Sequence, residues 1–227
     1  GLPVYWRART VEEIAELYIR EITEGIGQTG VRAGAIKVAT GAPAITALEH
    51  KFLAAACIAQ RATGVPIITH TQDGYAGPDQ QVAFAQGGVA AHRCLIGHCC
   101  GNADPAYHRR VVEGGSYIGF DRIGLQRFQP DTVRADNLAI LVRDGFRKQV
   151  MMSQDRHCGW LGKFARQVPP DELARIEAAR REGTWPPPYT YLFTDFVPML
   201  RERGVTDADV TAMLEENPRR FFAGEAL

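Results

Sequence analysis

The sequence predicts an α/β protein whose parallel strands form a barrel. Apolar, strand-like runs alternate strictly with segments of helical periodicity along the 227 residues. These runs are apolar throughout instead of alternating in polarity, which is typical of parallel strands covered by helices. Polar residues end five successive runs: Lys37, His70, His98, Asp121 with Arg122, and Asp155. An open doubly wound sheet collects such residues at one switch point, whereas a barrel lets nearly every strand contribute to one mouth, so the pattern favours the barrel.

The elements are predicted in chain order from these patterns. A first strand is expected to end near Trp6, and a helix between residues 10 and 26 follows it, because apolar residues recur there at helical spacing. Thr10 is a favourable N-cap for this helix, and Glu13 completes a capping box. Five further strands are predicted to end near Thr40, His70, His98, Asp121 and Ser153. Further helices are predicted at residues 45–63, 78–86, 105–113, 131–144, 171–181, 190–203 and 207–216.

The number of strands predicts an incomplete barrel. Six strands are expected, whereas a complete eight-stranded barrel usually takes about 250 residues. We therefore interpret residues 1–227 as a single, partial barrel domain that lacks about two N-terminal strands. Such a barrel would leave two sheet edges unpaired, and unpaired edges invite pairing with another chain. Dimerisation or strand donation is the expected result.

Composition excludes several kinds of partner. Lys plus Arg (26) equal Asp plus Glu (26), so no global field favours nucleic acid or an anionic membrane, and a small ligand fits better. The apolar stretches are far shorter than the roughly 18 residues of a spanning helix, and the N-terminus carries no signal-peptide pattern. We expect a cytoplasmic protein. The five cysteines lack C-x-x-C spacing, which predicts reduced thiols and neither a disulfide framework nor a zinc ribbon.

Lys37 stands in an apolar run, residues 33–40, that is expected to be buried. A buried ammonium loses several kcal/mol of hydration unless it is paired, deprotonated or chemically converted. A carbamate formed from the amine and CO2 would turn the cation into a bidentate anion. Together with the imidazoles of His70 and His98, this anion would make a site for a divalent metal ion.

Simpler interpretations of the same residues remain open at this point. Lys37 could form an ion pair with a carboxylate such as Glu49. His70 and His98 could each be a hydrogen-bonded structural histidine, and Asp155 could cap the loop or helix that follows it.

Six segments in order along the chain carry a family resemblance. They are IKVAT at 36–40, GVPIITH at 64–70, IGH at 96–98, IGFDRIGL at 118–125, SQD at 153–155 and ENPRRFF at 216–222. The chain resembles the phosphotriesterase family of the amidohydrolase superfamily. The pair Asp121 and Arg122, followed by Ile-Gly-Leu, is most similar to the phosphotriesterase-like lactonase branch. The resemblance implies a (β/α)8 TIM barrel of the amidohydrolase type.

The resemblance also implies a binuclear metal centre. A carboxylated Lys37 would bridge two divalent ions, zinc first of all, with cobalt, manganese or iron as alternatives. His70 and His98 would hold the more exposed ion, and Asp155 would bind the buried one. A hydroxide that bridges the ions would be the nucleophile, because coordination lowers the pKa of water from 15.7 to about 7. Asp155 would orient this hydroxide and receive its proton.

The same resemblance assigns substrate contacts and an activity. Arg122 would line the pocket or position the leaving group, and Tyr5 would face the substrate. The long loop over residues 157–189 is expected to set the substrate and to serve as a lid, with apolar candidates Trp160, Phe164, Trp185 and Tyr189. Alternatively, these aromatic residues simply pack the loop onto the barrel. The implied function is the hydrolysis of lactones by a homodimer, with phosphotriesters as weaker substrates.

Two departures from the family pattern support a second hypothesis. The first family strand supplies an H-x-H pair, and no H-x-H occurs in these 227 residues. Gly101 stands where the family usually has an acidic relay residue, and Asp104 lies further along the loop. The alternative is a barrel fragment without catalysis that binds at most one ion through Lys37, His70 and His98.

Overall fold

The computed structural model describes residues 4–156, 170–182 and 186–227 of the chain. Its centre is a sheet of five parallel strands: β1 (Ile36–Thr40), β2 (Ile67–Thr71), β3 (Cys94–Ile96), β4 (Tyr117–Phe120) and β5 (Val150–Met152). Each strand pairs with the next one along the chain, in the order β1-β2-β3-β4-β5. A doubly wound sheet reverses its order at a switch point, and this sheet does not. The described strands therefore form one arc of a partial barrel, as predicted.

Helices precede, connect and follow these strands. They are α1 (Val4–Arg7), α2 (Val11–Thr23), α3 (Ala47–Thr63), α4 (Gly77–Gln86), α5 (Pro105–Glu113), α6 (Asp131–Arg143), α7 (Pro170–Arg181), α8 (Val197–Arg201), α9 (Asp207–Thr211) and α10 (Asn217–Ala223). Two π-helical turns, Leu192–Phe196 and Ala212–Glu216, lead into α8 and α10. None of the helices in the described part of the chain combines the length and the apolar content that a membrane span requires.

Capping residues explain where the helices begin. The predicted box of Thr10 and Glu13 is present at α2, and Thr46 forms the same arrangement with Glu49 at α3. Each box satisfies two backbone N–H groups that the first helical turn leaves without partners. At the other end of α3, Gly64 adopts the left-handed conformation that ends many helices.

The predicted strand near Trp6 is wrong, because residues Val4–Arg7 form helix α1. A run of four residues is too short to distinguish a strand from a helix by its apolar content. The helix packs instead of pairing: Trp6 contacts the small cluster that Ile14 on α2 and Phe52 on α3 share.

The main core lies between the sheet and the helices. The side chains of Ile36, Ile67 and Cys94, which are paired across three strands, are buried against the helices. The opposite face of the sheet behaves differently. There Tyr117 on β4 is fully buried beside Phe221 of α10.

Burial on this inner face decreases toward β1. The register Lys37, Ile68, Leu95, Tyr117 runs across four strands. Tyr117 is buried, Leu95 and Ile68 are partly buried, and Lys37 is exposed. In the described part of the chain β1 has β2 as its only strand neighbour, so its inner face lacks the covering layer that fills a complete barrel.

Four of the cysteines are free and buried in the described part of the chain: Cys57, Cys94, Cys99 and Cys100. Their reduced state stays a prediction. Burial raises the pKa of the Cys94 thiol to about 12 and that of Cys100 to about 11. These thiols are therefore inert packing groups, since the reactive form is the thiolate.

Candidate active site

The sheet brings the predicted polar residues to one edge. His70 is the next-to-last residue of strand β2, His98 lies two residues beyond β3, and Asp121 follows β4 directly. Asp155 lies three residues beyond β5. In parallel barrels the carboxyl ends of the strands form the mouth where active sites are built.

Lys37 differs from its sequence prediction. It is exposed, because the inner face of β1 is uncovered, so the expectation of a fully buried amine is wrong. Its Nζ donates to the backbone oxygen of Thr69 at 2.8 Å. Partial loss of water around the ammonium lowers its pKa, and the negative charges of Asp121 and Asp155 oppose this shift without cancelling it.

The alternative ion pair of Lys37 with Glu49 is also wrong. The Glu49 carboxylate accepts from the backbone N–H of Gly41 at 2.6 Å and from the N–H of Thr46 at 2.7 Å. The Glu49 oxygens therefore bind backbone N–H groups before and at the start of α3, and Lys37 is not their partner.

His98 is the most firmly held residue of the site. It is 6% exposed, and its backbone N–H donates to both carboxylate oxygens of Asp121 at 2.8 and 3.0 Å. Its ring Nδ1 lies 2.9 Å from Oδ1 of the same carboxylate. Because a carboxylate only accepts, Nδ1 carries a proton, and the neutral form of the ring then has its lone pair on Nε2. His98 therefore offers Nε2 as a ligand or proton acceptor.

Asp121 keeps its negative charge in this pairing. Burial alone would raise its pKa, but the hydrogen bonds from the His98 ring and backbone outweigh burial, and the pKa is lowered. An ionised carboxylate behind a histidine ring fixes the ring's orientation and makes Nε2 more basic.

His70 lies against His98. The ring centroids are 4.6 Å apart and the rings are nearly perpendicular, at 85°. Nε2 of His70 is 3.4 Å from Oε1 of Gln72, which is a weak contact. Burial and the neighbouring His98 lower the pKa of His70, so its imidazole is neutral at pH 7 and suited to bind a metal ion.

Asp155 connects the histidine pair to Arg122. Its Oδ2 lies 4.0 Å from Nε2 of His98 and accepts from Nε of Arg122 at 3.2 Å. Arg122 is 7% exposed, its guanidinium lies over the ring of Phe128 at 4.9 Å, and its buried Nη1 has no hydrogen-bond partner among the described residues. A buried donor without a partner is costly, and a ligand oxygen would satisfy it.

Sequence reasoning assigned no role to Asp121, which is the partner of His98. Two glycines in the sequence were a signal for this pair: Gly97 directly precedes His98, and Gly119 lies two residues before Asp121. A Cβ on Gly119 would lie 2.6 Å from Oδ2 of Asp121, and one on Gly97 would lie 3.2 Å from the same atom. The carboxylate therefore occupies space that only glycine leaves free.

Asp104 is engaged elsewhere. It is the N-cap of α5, and its side chain accepts from the N–H of Ala106 at 2.9 Å. A proton relay through Asp104 therefore has no support in this arrangement.

Two of the predicted substrate residues, Tyr5 and Tyr189, lie in the described part of the chain. Tyr5 lies on α1, is 57% exposed, and contacts Trp6 and the guanidinium of Arg9. Trp160, Phe164 and Trp185 lie outside the described residues. Tyr189 is exposed beneath the guanidinium of Arg156. The lid hypothesis for residues 157–189 therefore stays a prediction.

The donors of this cluster suit one metal ion better than two. No group of three His, Cys, Asp or Glu side chains is close enough to hold an ion within residues 4–156, 170–182 and 186–227. Conversion of Lys37 to a carbamate would add an anionic donor to the imidazoles of His70 and His98. A second ion would then have only Asp155 and a shared carbamate oxygen as donors among the described residues, fewer than the three protein ligands of a usual catalytic zinc site.

The fold and the site define the class: a parallel (β/α) barrel protein with an imidazole and carboxylate cluster at the mouth. The chain belongs to the phosphotriesterase family, whose model matches residues 3–222. This confirms the resemblance drawn from the six segments.

Named relatives agree with the family. The chain is 34% identical over 212 residues to a phosphotriesterase homology protein of Mycobacterium tuberculosis, covering 93% of this chain and 61% of that protein. It is 35% identical to an aryldialkylphosphatase of Saccharolobus solfataricus, covering 98% and 68%. It is 30% identical to a phospho-furanose lactonase of Mycoplasmopsis synoviae, covering 93% and 60%.

Solved structures agree as well. The organophosphorus hydrolase of Deinococcus radiodurans superposes with a TM-score of 0.82 at 41% identity, covering 93% of this chain and 62% of that one. The chain thus spans between 60% and 68% of the length of the relatives named above.

Proposed function

We propose that the protein is a metal-dependent hydrolase that cleaves lactones, with phosphotriesters as weaker substrates. The observation that carries this proposal is the convergence of the His98 and Arg122 side chains on the Asp155 carboxylate, beside the neutral ring of His70. Relatives named as a lactonase and as an aryldialkylphosphatase support the two substrate classes.

The residues that would hold a divalent ion are His70, His98 and a carbamate on Lys37, with zinc as the first choice and cobalt, manganese or iron as alternatives. When bound, such an ion supplies Lewis-acid polarisation of a carbonyl or phosphoryl oxygen and lowers the pKa of a water molecule. Imidazole nitrogens and an oxygen anion are donors that zinc accepts.

Asp155 is proposed to act as the general base. Its carboxylate accepts from Arg122 through Oδ2 at the edge of the cluster, so its remaining lone pairs can take a proton from an attacking water molecule. The side chain is about one third exposed, at 34%, which leaves water access to it.

Arg122 is proposed to bind the oxygen of the substrate on which negative charge develops. Its buried Nη1 has no partner in the described part of the chain, and its Nε is fixed by Asp155. Both lactones and phosphotriesters gain charge on such an oxygen during attack, and a preorganised donor stabilises it. One site can therefore serve both substrate classes.

A barrel fragment without catalysis that binds at most one ion is the second candidate. It is favoured by the lack of an H-x-H pair in the sequence and by the lack of a three-donor group in the described residues. Metal content and activity together separate the candidates: hydrolysis by the metal-loaded protein supports the hydrolase, whereas no hydrolysis with one ion or none per chain supports the alternative.

The proposal is tested on protein purified with zinc, cobalt or manganese. Metal content is measured by mass spectrometry, and hydrolysis is assayed with a γ-lactone, a δ-lactone and an aryl dialkyl phosphate. Lys37→Ala is expected to lower metal content and activity, whereas Lys148→Ala, an exposed lysine after α6, changes neither. Hydrolysis of no substrate, together with unchanged metal content in Lys37→Ala, would refute the proposal.

We also propose that the protein is a homodimer and that it is located in the cytoplasm. The exposed inner face of β1 supports association, since such a face is stabilised when another chain covers it. Four buried free thiols support a reducing compartment. Sedimentation velocity measures the oligomeric state directly, and a monomer at all concentrations would contradict the dimer.

A further inference from the structure

The segment over residues 186–191 lies across the mouth beside two strand-end loops. On one side, the Gln154 side chain donates to the backbone oxygen of Pro188 at 3.1 Å, and Nε of Arg156 donates to that of Pro187 at 2.8 Å. These contacts tie the segment to the loop that carries Asp155.

On its other side the same segment contacts the loop over residues 122–128, which carries Arg122. The approach is close at Gly124, whose φ is +87°. A Cβ there would lie 3.0 Å from Cγ of Pro187 and 3.1 Å from Cδ1 of Tyr191. The segment therefore packs directly on the backbone of the Arg122 loop.

A buried carboxylate joins these parts. Asp131, at the start of α6, is 1% exposed and accepts from the backbone N–H of Gly124 at 3.0 Å and from the Tyr191 hydroxyl at 3.0 Å. Nη1 of Arg134 donates to it at 2.6 Å, and Nη2 of Arg134 donates to the backbone oxygen of Leu125 at 3.2 Å. The loop is therefore held at two consecutive residues.

The side chains around Asp131 contact the loop over residues 122–128 or belong to it. The Arg134 side chain is fully buried, and burial together with the Asp131 charge raises the pKa of Tyr191, which keeps its hydroxyl a donor. Gln126 also donates to the Tyr191 oxygen, at 3.3 Å. The backbone of the loop that carries Arg122 is thus held by hydrogen bonds that do not involve Arg122 itself.

We infer that Tyr191 is a positioning residue for Arg122: through the Asp131 carboxylate and the Gly124 backbone, it fixes the loop from which Arg122 reaches Asp155. This inference rests on the proposed function for its catalytic consequence. By holding the loop that carries Arg122, the Tyr191 hydroxyl limits how far the Arg122 guanidinium can move from the substrate oxygen that it is proposed to bind. A preorganised site requires such precise placement.

The test is Tyr191→Phe, which removes only the hydroxyl. Tyr117→Phe is the matched control, since the buried Tyr117 hydroxyl has no hydrogen-bond partner in the described part of the chain. Native-state hydrogen exchange of the Gly124 amide is expected to become about tenfold faster in Tyr191→Phe and to stay unchanged in the control. A loss of kcat/KM of about tenfold is expected for Tyr191→Phe with a lactone.

The double variant separates positioning from a general structural role. If Tyr191 acts through Arg122, then Tyr191→Phe causes no further loss in an Arg122→Ala background, because residues acting as one unit are not additive. An additive loss, or equal Gly124 exchange in wild type and Tyr191→Phe, would overturn the inference. If the wild-type protein hydrolyses none of the substrates, the proposed function fails. The exchange of the Gly124 amide then tests the structural part of the inference by itself. Faster exchange in Tyr191→Phe supports the role of Tyr191 in holding the loop, and equal exchange refutes that role.

Discussion

His98 and Asp121 form a pair in which one carboxylate receives both the backbone N–H and the ring Nδ1 of the histidine, at 2.8 and 2.9 Å. This geometry fixes the ring in two ways at once. The backbone bond holds the left-handed turn at His98, whose φ is +61°, and the ring bond sets the tautomer. The pair therefore determines which nitrogen faces the cluster.

The first prediction concerns this pair. Asp121→Asn replaces a carboxylate with an amide that cannot accept at both oxygen positions, so the His98 ring loses its fixed tautomer. We expect metal affinity to fall by about 10- to 100-fold, as for other supporting carboxylates. Competition with a chelator measures the affinity. Asp104→Asn is the control, because asparagine is an equally good N-cap for α5, and equal affinities in the two variants would contradict the prediction.

Most of the helices and strands were predictable because their signals are local, whereas the short run near Trp6, a helix in the structure, was not. The capping box of Thr10 and Glu13 and the apolar strand runs each reside within a few residues. The burial of Lys37 was not predictable, since it depends on what covers the inner face of β1. The link between His98 and Asp121 also depends on tertiary structure, because it joins residues 23 positions apart on adjacent strand ends.

The second prediction concerns the stability of the Arg134 and Asp131 pair. Both side chains are buried, with 0% and 1% exposure. Arg134→Leu leaves the Asp131 charge buried with only hydrogen bonds from Gly124 and Tyr191, and such a loss costs about 3–5 kcal/mol of unfolding free energy. Urea denaturation measures it. Arg143→Leu, on the same helix but 73% exposed, is expected to change stability by less than about 0.5 kcal/mol, and a similar effect of both variants would refute the prediction.

The third prediction concerns acid sensitivity. His108 is fully buried, its Nε2 lies 2.9 Å from the backbone oxygen of Cys99, and its buried Nδ1 has no partner among the described residues. Burial lowers its pKa, so the folded protein resists protonation while the unfolded chain takes up a proton near its ordinary value of about 6.5. The stabilisation is present above about pH 6.5 and is lost as the pH falls below it, by at most about 1.4 kcal/mol per pH unit.

His108→Gln tests this sign. Glutamine keeps an N–H that can donate to Cys99 but does not titrate, so the variant should lose less stability than wild type between pH 6.5 and 5. Urea denaturation across this range gives the slope. Identical slopes in wild type and variant would show that His108 does not carry the effect and that other groups, such as His70, do.

The fourth prediction concerns the glycine beside Asp121. A Cβ at Gly119 would lie 2.6 Å from Oδ2 of Asp121, which is shorter than any normal contact, and the carboxylate is held in place by His98. Gly119→Ala is therefore expected to destabilise the protein by about 1–3 kcal/mol through overpacking and to displace the His98 ring. Gly34→Ala is the control, since its Cβ meets nothing within 4 Å. The His98 ring signals in an NMR spectrum report the displacement. Unchanged signals and unchanged stability in Gly119→Ala would contradict the prediction. The Asp121 carboxylate would then be free to move aside, and its contact with His98 would not be a fixed feature of the site.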